Sequence, residues 1–221
     1  MTIDVQAILT RSFDILKENV ALLVGLTVAG MFIGSFINGM GAGAQAVFTI
    51  LANDIGPEVA LGLGFLARMF GSLVGFVFNS YFGLAMIKIA LRLIRGQETT
   101  FQDGIVDTPI FLQGLLANFL MSLAIGFGML FCFVPGIILS LGLIFTMHLT
   151  VDQQMGAVDA LKKSWEMTDG SKMNIFIWGL VCLALVTVGF LACCVGIVAA
   201  APIILVGTSI IYEQLNGAQS H

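Results

Sequence analysis

Long uninterrupted apolar runs set the pattern of this chain. They lie at residues 20–44, 67–91, 110–131, 135–151, 174–194 and 198–215. A hydrocarbon core about 30 Å thick is crossed by roughly 20 helical residues, and lipid offers no partner to unpaired backbone N–H and C=O groups. A β-barrel would instead alternate apolar and polar positions over strands of roughly 10 residues. The runs therefore predict six transmembrane helices. The apolar stretch that begins at Val59 exceeds one span and holds Arg68, which is expected at the outer interface with its stem snorkelling. Residues 45–66 then form an extracytoplasmic helix-turn-helix broken at Gly56 and Pro57, and Gly39, Gly41 and Gly43 are expected to loosen the exit of the first span.

The segments between the runs are patterned too. In residues 2–18, Val5, Ile8, Leu9, Ser12, Phe13 and Leu16 follow helical spacing, while Asp4, Arg11, Asp14 and Glu18 take the opposite face. In residues 153–168, Met155, Val158, Leu161 and Trp165 line one face and Asp159, Lys162, Lys163 and Glu166 the other. Amphipathic helices joined directly to spans are expected to lie flat in the headgroup layer. A shorter element at 101–106 is entered through Thr100, with Asp103 three residues on as a cap. Pro109 suits the first turn of the third span, and the Val134-Pro135-Gly136 sequence closes the turn into the fourth. The predicted fold is an all-α integral membrane protein. Its six transmembrane helices form three hairpins, introduced by cytoplasmic interfacial amphipathic helices, in a single domain over 1–221.

Composition supports lipid as the solvent. Of 221 residues, 58% are hydrophobic and 10% charged, too few charges to cover a water-facing globule, which carries about 25%. Charge placement gives the orientation. Arg11, Lys17, Lys88, Arg92, Arg95, Lys162, Lys163 and Lys172 fall on one side of a six-span arrangement, and only Arg68 on the other. By the positive-inside rule both termini are cytoplasmic. Trp165, Trp178 and Tyr212 map near that inner interface, where amphipathic rings settle, while Tyr81 falls deeper. The first apolar run, preceded by a charged amphipathic stretch, reads as a retained span and not a cleavable signal.

Candidate chemistry is sparse. The polar residues within the spans are Asn38, Asn79, Asn118 and His148, with Ser and Thr, and no Asp, Glu or Lys lies at mid-membrane. Ion-coupled carriers commonly hold ionisable groups there. His148 lies four residues before Asp152 and is expected wet, at the interface. No nucleophile elbow, zinc-protease motif or phosphate loop is present, so an enzyme is not expected, nor a cofactor or metal. The cations form no tract that suits nucleic acid. The four cysteines read as small packing residues, and a disulfide from Cys132 to Cys193 or Cys194 stays open. Gly30 with Gly34, and Gly71 with Gly75, permit close helix approach within the chain or across a homodimer seam.

One stretch is more than generic. Pro135-Gly136, the run Ala160-Leu161-Lys162-Lys163-Ser164-Trp165-Glu166-Met167-Thr168-Asp169-Gly170, and Tyr212-Glu213-Gln214-Leu215 together resemble a bacterial family of six-span membrane proteins. That family is related to the membrane domain fused to some glycerophosphodiester phosphodiesterases and has no assigned activity. The resemblance covers about residues 110–215, with Met167 standing where the family usually has Leu. It implies a bacterial inner-membrane setting and a link to lipid metabolism, without phosphodiesterase activity. Read physically, Leu161 and Trp165 bury in the interface, Lys162 and Lys163 face headgroups, Gly170 suits the left-handed C′ position, and Asn174 caps the fifth span.

The functional expectation is a non-enzymatic membrane protein that binds lipid, anionic lipid included, or a partner protein at its cytoplasmic interface. The residues expected to do so are Arg11, Lys17, Arg92, Arg95, Lys162, Lys163, Trp165 and Lys172. A channel or transporter for a small or apolar solute, and an accessory subunit of a larger complex, are the alternatives.

Overall fold

The computed structural model describes residues 4–52, 56–131, 133–191 and 195–219, and over these the protein is all-helical. The helices are α1 (Val5–Glu18), α2 (Val20–Ile50), α3 (Pro57–Ile94), α4 (Thr108–Phe131), α5 (Phe133–Gly142), α6 (Thr146–Asp152), α7 (Ala157–Thr168), α8 (Lys172–Leu191) and α9 (Val195–Gln219), with a 3-10 turn at Phe101–Gly104. Six helical segments are long and apolar enough to cross a membrane: Val20–Ile50, Pro57–Ile94, Thr108–Phe131, Val134–Asp152, Lys172–Leu191 and Val198–Gly217. The chain is a multi-span membrane protein.

Three features depart from the sequence expectation. The first two spans are not followed by a separate outer element. Instead α2 runs unbroken through Ile50, and α3 is continuous from Pro57. The glycines of α2 do not unwind it because Gly41 lies against α3, where its missing Cβ would sit 3.2 Å from the Cα of Gly71. The chain reverses at Gly56, whose φ of +89° is left-handed, and Pro57 opens α3. On α3, Arg68 lies twenty residues before Lys88, about 30 Å of helix and close to one hydrocarbon thickness.

The second departure is the fourth span, which is two helices. Residues 143–145 form a turn between α5 and α6. The third concerns aromatic and amphipathic side chains. Trp178 and Tyr212 are fully buried in protein, and the Trp178 indole N–H donates to the Thr208 hydroxyl at 3.1 Å. An indole or phenol can be buried when its polar tip has a partner. Likewise α1 turns Ile8, Ser12 and Leu16 into the protein, where Ser12 meets Gly207 of α9. On α7 the covered residues are Ala157, Ala160, Ser164, Met167 and Thr168, whereas Val158 is exposed. The face covered by protein is thus a different one from the apolar face of Met155, Val158, Leu161 and Trp165.

The chain divides into two compact units, Val28–Phe82 in one, and Met1–Thr27 with Gly83–His221 in the other. In the smaller unit α2 and α3 pack through Gly41 and Gly71, Gly34 against Phe78, and Gly75 against Asn38. The larger unit holds a core built on Leu23, Ile89, Phe145, Leu149, Ile175, Trp178, Val206, Ile211 and Tyr212. There α8 and α9 close on each other through Gly189 and Gly196, and α4 and α5 through Gly128 and Gly136. Small residues permit such approach, and tight packing substitutes for a hydrophobic drive that lipid does not supply. Of the cysteines, Cys182 is a free thiol in α8, while Cys132, Cys193 and Cys194, and with them the disulfide question, lie outside the described residues, as does His221.

A side chain at Gly71 would place its Cβ 2.8 Å from the Gly41 Cα, a backbone atom that cannot rotate away. Gly71→Val is expected to spread α2 from α3 and destabilise the purified protein by about 1–3 kcal/mol. Gly25→Ala, which meets nothing within 4 Å, is expected to leave stability unchanged or slightly raised. Thermal melts in one detergent compare the two, and equal melting temperatures would refute the packing role.

Candidate functional site

The break in the fourth span is the most constrained local feature. Lipid tolerates non-helical backbone only where protein satisfies its polar groups. Here α7 supplies them. The Ser164 hydroxyl donates to the Gly142 carbonyl at 2.9 Å and accepts from the Phe145 N–H at 3.2 Å. Thr168, four residues on and so on the same helix face, offers its hydroxyl to the same Gly142 carbonyl at 3.3 Å and to the Trp165 carbonyl at 3.0 Å. Thr146 closes the turn from the other side, its hydroxyl donating to the Leu143 carbonyl at 2.8 Å. Gly142 is required because the Trp165 ring occupies the place of its Cβ, with a ring carbon 2.3 Å from that position. Ser164 and Thr168 have no exposed surface. The loop out of α7 uses Gly170 at φ +79°, the left-handed position expected of it.

Below the break, α6 presents His148, Asp152 and Gln153 to α9. The His148 Nε2 lies 3.1 Å from the Ser209 hydroxyl, which itself donates to the Leu205 carbonyl at 2.9 Å. The tautomer that satisfies both bonds carries its proton on Nε2, leaving Nδ1 buried with no partner among the described residues. His148 is thus a packed core residue and not a wet interfacial one, its ring 5.3 Å from that of Tyr212. The Tyr212 hydroxyl donates to Asp152 at 2.9 Å. Arg95 bridges Asp152 and Glu213, at 2.6 Å to each. Gln153 ties the cluster outward, donating to Asn216 at 3.0 Å and accepting from Lys163 at 2.8 Å. Partial burial pulls the Arg95 pKa down, but hydrogen bonds and charge from Asp152 and Glu213 outweigh this and raise it. Arg95 is a permanent cation held between two carboxylates.

The other expected interface residues are mostly engaged as well. Arg92 pairs with Asp103, whose carboxylate also accepts from the Thr100 backbone N–H at 2.8 Å and hydroxyl at 2.9 Å. The Thr100 backbone bond, then its hydroxyl, then Arg92 hold Asp103 below the usual carboxylate range. Arg11 reaches the Ile94 carbonyl at 3.4 Å, and Lys88 donates to the Ile105 carbonyl at 2.6 Å. Lys172 sits 4.0 Å above the Trp165 ring and 3.3 Å from Asp169. Lys17 and Lys162 are exposed. Arg95, Lys163 and, through Gly142, Trp165 therefore meet around α6, while Arg92 anchors the 3-10 turn. Sequence reasoning missed Gly142, Asp152 and Ser209 as site residues, and it named Ser164, Thr168, Tyr212 and Glu213 only as motif positions, without these contacts. The signal was present in Ala157, Ala160, Ser164 and Thr168, small residues at helical spacing that mark a close-packed face.

Residues 105–214 match the family described as the membrane domain of glycerophosphoryl diester phosphodiesterase. Over this segment, just under half of its length, the chain is similar to that membrane-domain family. Comparison with curated proteins and with solved structures found no match. The family segment contains the whole break and clamp, from Gly142 to Thr168, and Asp152, Tyr212 and Glu213 besides, whereas Arg95 and Asp103 lie outside it. In the membrane-domain segment, then, the recognisable Ser-Trp and Tyr motifs are the two parts that meet α5 and α6. The Asn38 and Asn79 amides, candidates for a polar pathway, donate instead to carbonyls four residues back in their own helices, at 2.8 and 2.7 Å. Among the described residues no group of three or more His, Cys, Asp or Glu could hold a metal ion.

Two measurements test this arrangement. Ser164→Ala leaves the Phe145 N–H without a partner in a dry setting and is expected to cost about 1–3 kcal/mol. Thr168→Val leaves Ser164 still bonded to Gly142 and is expected to cost less; a reversed order in denaturation would refute the clamp. Arg95→Gln strands the nearly buried Asp152 carboxylate and is expected to destabilise by about 1–3 kcal/mol, discounted for the partial exposure of Arg95. Adding Asp152→Asn should recover part of that loss. Strict additivity in the double-mutant cycle would dissolve the proposed coupling.

Proposed function

We propose that this protein is a non-enzymatic membrane module whose Lys- and Arg-bearing end lies on the cytoplasmic side of a bacterial inner membrane and engages anionic lipid headgroups. One observation carries the reading. Around a framework tied together by Arg92–Asp103 and Arg95–Asp152, the chain leaves large apolar side chains exposed beside its cations: Phe13, Phe101, Ile105 and Val158. Phe101 and Ile105 flank the turn that Arg92 and Lys88 hold in place. Apolar tips with cations beside them suit the headgroup boundary, where each cation near an anionic surface contributes about 1 kcal/mol. Lys17 and Lys162 are the exposed charges available for that contact.

The break in the fourth span favours a second reading, because carriers build sites on discontinuous helices. Against it, the backbone groups of the break are already bonded to Ser164 and Thr168, and Trp165 covers Gly142. A joint so filled supports a structural role over a solute site. The potential acid–base groups, His148 and Tyr212, are buried in the core, which supports a non-enzymatic role.

The test uses an environment-sensitive dye on cysteines replacing Phe101 or Val158, in nanodiscs, on a background with the native cysteines changed to alanine. Quenching by lipids spin-labelled near the headgroup is expected at both positions, stronger as phosphatidylglycerol replaces phosphatidylcholine. Dye signals characteristic of bulk water, indifferent to lipid, would overturn the lipid reading and leave a protein partner to cover the surface.

A further inference from the structure

The hairpin of α2 and α3 carries polar groups where lipid offers them nothing. Helix α2 has no charged residue, and α3 has none between Arg68 and Lys88, so Asn38 and Asn79 lie within uncharged, apolar stretches of helix. Both residues are exposed. Each amide donates one N–H to a carbonyl of its own helix, Gly34 for Asn38 and Gly75 for Asn79. An amide has two donors and an acceptor oxygen. The second N–H and the oxygen of each have no partner among the described residues. Hydrocarbon supplies neither donor nor acceptor.

The two long sides of the hairpin differ. One is an apolar groove walled by Ile37 and Met40 of α2 and by Phe70 and Val74 of α3, a surface that acyl chains suit. Helical spacing turns Ser35, Asn38 and Ala42 of α2, and Ser72 and Asn79 of α3, to the opposite side. All five are exposed there. Small and hydroxyl-bearing residues beside an amide let helices of two chains approach and hydrogen-bond in lipid.

We propose that this polar side binds a second copy of the chain, with Asn79 of each subunit bonded to Ser35 of the partner subunit. Hydrogen-bond complementarity decides the occupant. An amide and a hydroxyl each donate and accept, so one surface carrying both matches itself when turned about a two-fold axis. An axis along the membrane normal keeps both copies in one orientation. Because α2 and α3 run antiparallel, it sets α2 of each copy against α3 of the other. The register then fits: the place of the missing Gly34 Cβ lies 4.0 Å from the Asn79 Oδ1, and Ser35 follows Gly34 directly. Ser35 therefore stands at the depth of Asn79, and the pairing occurs twice. Arg68 lies eleven residues from Asn79, roughly 16 Å along the helix, and its long stem lets the like charges of the two copies turn apart.

The test reads association in the membrane. Full-length copies carrying donor or acceptor dyes on a C-terminal tag are reconstituted together in vesicles of phosphatidylethanolamine and phosphatidylglycerol. Energy transfer is followed as lipid is added. The unaltered chain is expected to show transfer above the random-proximity level that falls reversibly on dilution. Asn79→Val should weaken association about tenfold, the worth of two ordinary interhelical hydrogen bonds. Ala42→Trp, a bulky change at an exposed position of the polar side, should abolish it, while Met40→Trp on the groove side should leave it intact. Thermal melts in detergent establish that each variant is folded. Transfer at the random level in the unaltered chain overturns the proposal and leaves a different membrane protein to meet the amides. Transfer that survives Ala42→Trp, or that Met40→Trp removes equally, overturns the assignment of the side. A lower melting temperature for Asn79→Val with undiminished association means that the amide acts within its own chain, and overturns the bond.

Discussion

A backbone carbonyl and a backbone N–H left bare by a broken span are the constraint from which the larger unit follows. Each would be costly in a water-poor interior. Ser164 answers both with one hydroxyl, and Thr168 adds a second donor to the same carbonyl. The geometry fixes more than two bonds. For the hydroxyls to reach Gly142, α7 must lie against the end of α5, and its buried side carries only small residues there and at Ala157, whose N–H donates to Gln113 of α4. For Trp165 to close over the break, position 142 can carry no Cβ. The motif and the break are one object.

Once the span is broken, α6 is free to bring its end against α9, and the second set of contacts becomes available. Asp152 at the end of α6 would be an unwelcome charge beside apolar helices. It is instead shared between the Tyr212 hydroxyl and Arg95, with Glu213 completing the neutralisation. Pairing of this kind gives position more than stability, because two desolvated charges repay their loss of water only in good geometry. Arg95 stands directly after α3, so the pairing pins the end of that helix to α6 and α9. The cations that signal orientation thus also serve as ties. Arg92 to Asp103 and Lys88 to the Ile105 carbonyl repeat the device at the next turn.

This double use explains which parts of the molecule could be read in the sequence. Span number and type were legible because hydrophobic length is a property of composition over a window, and lipid leaves few alternatives. Gly170, Thr100 with Asp103, and the turn at Gly56 and Pro57 were legible because their chemistry is local. What escaped was decided by tertiary contact. The glycines at 39, 41 and 43 look like a helix end in isolation, yet α2 continues through them and Gly41 packs against α3. His148 looks wet because Asp152 is near in sequence, but Ser209, Phe145 and Tyr212 enclose it. The protein-facing side of α7 was not legible for the same reason: apolar spacing picks out Leu161 and Trp165, whereas Ser164 and Thr168 are buried because their hydroxyls bond the broken helix.

The candidate site changes character accordingly. A row of cations on one side of a membrane suggests a diffuse electrostatic surface, and such a surface would be tuned by charge number alone. In this protein most of those charges are committed to internal partners, so their count overstates what is offered outward. What remains is a smaller set, Lys17 and Lys162, together with apolar tips that charge counting ignores. Recognition by so few groups depends on where they are held. The clamp holds α7, α7 carries Trp165, and Trp165 supports the Lys172 ammonium. The broken span therefore reaches the Lys172 ammonium through three consecutive contacts, and the residues that look most structural also position that charge.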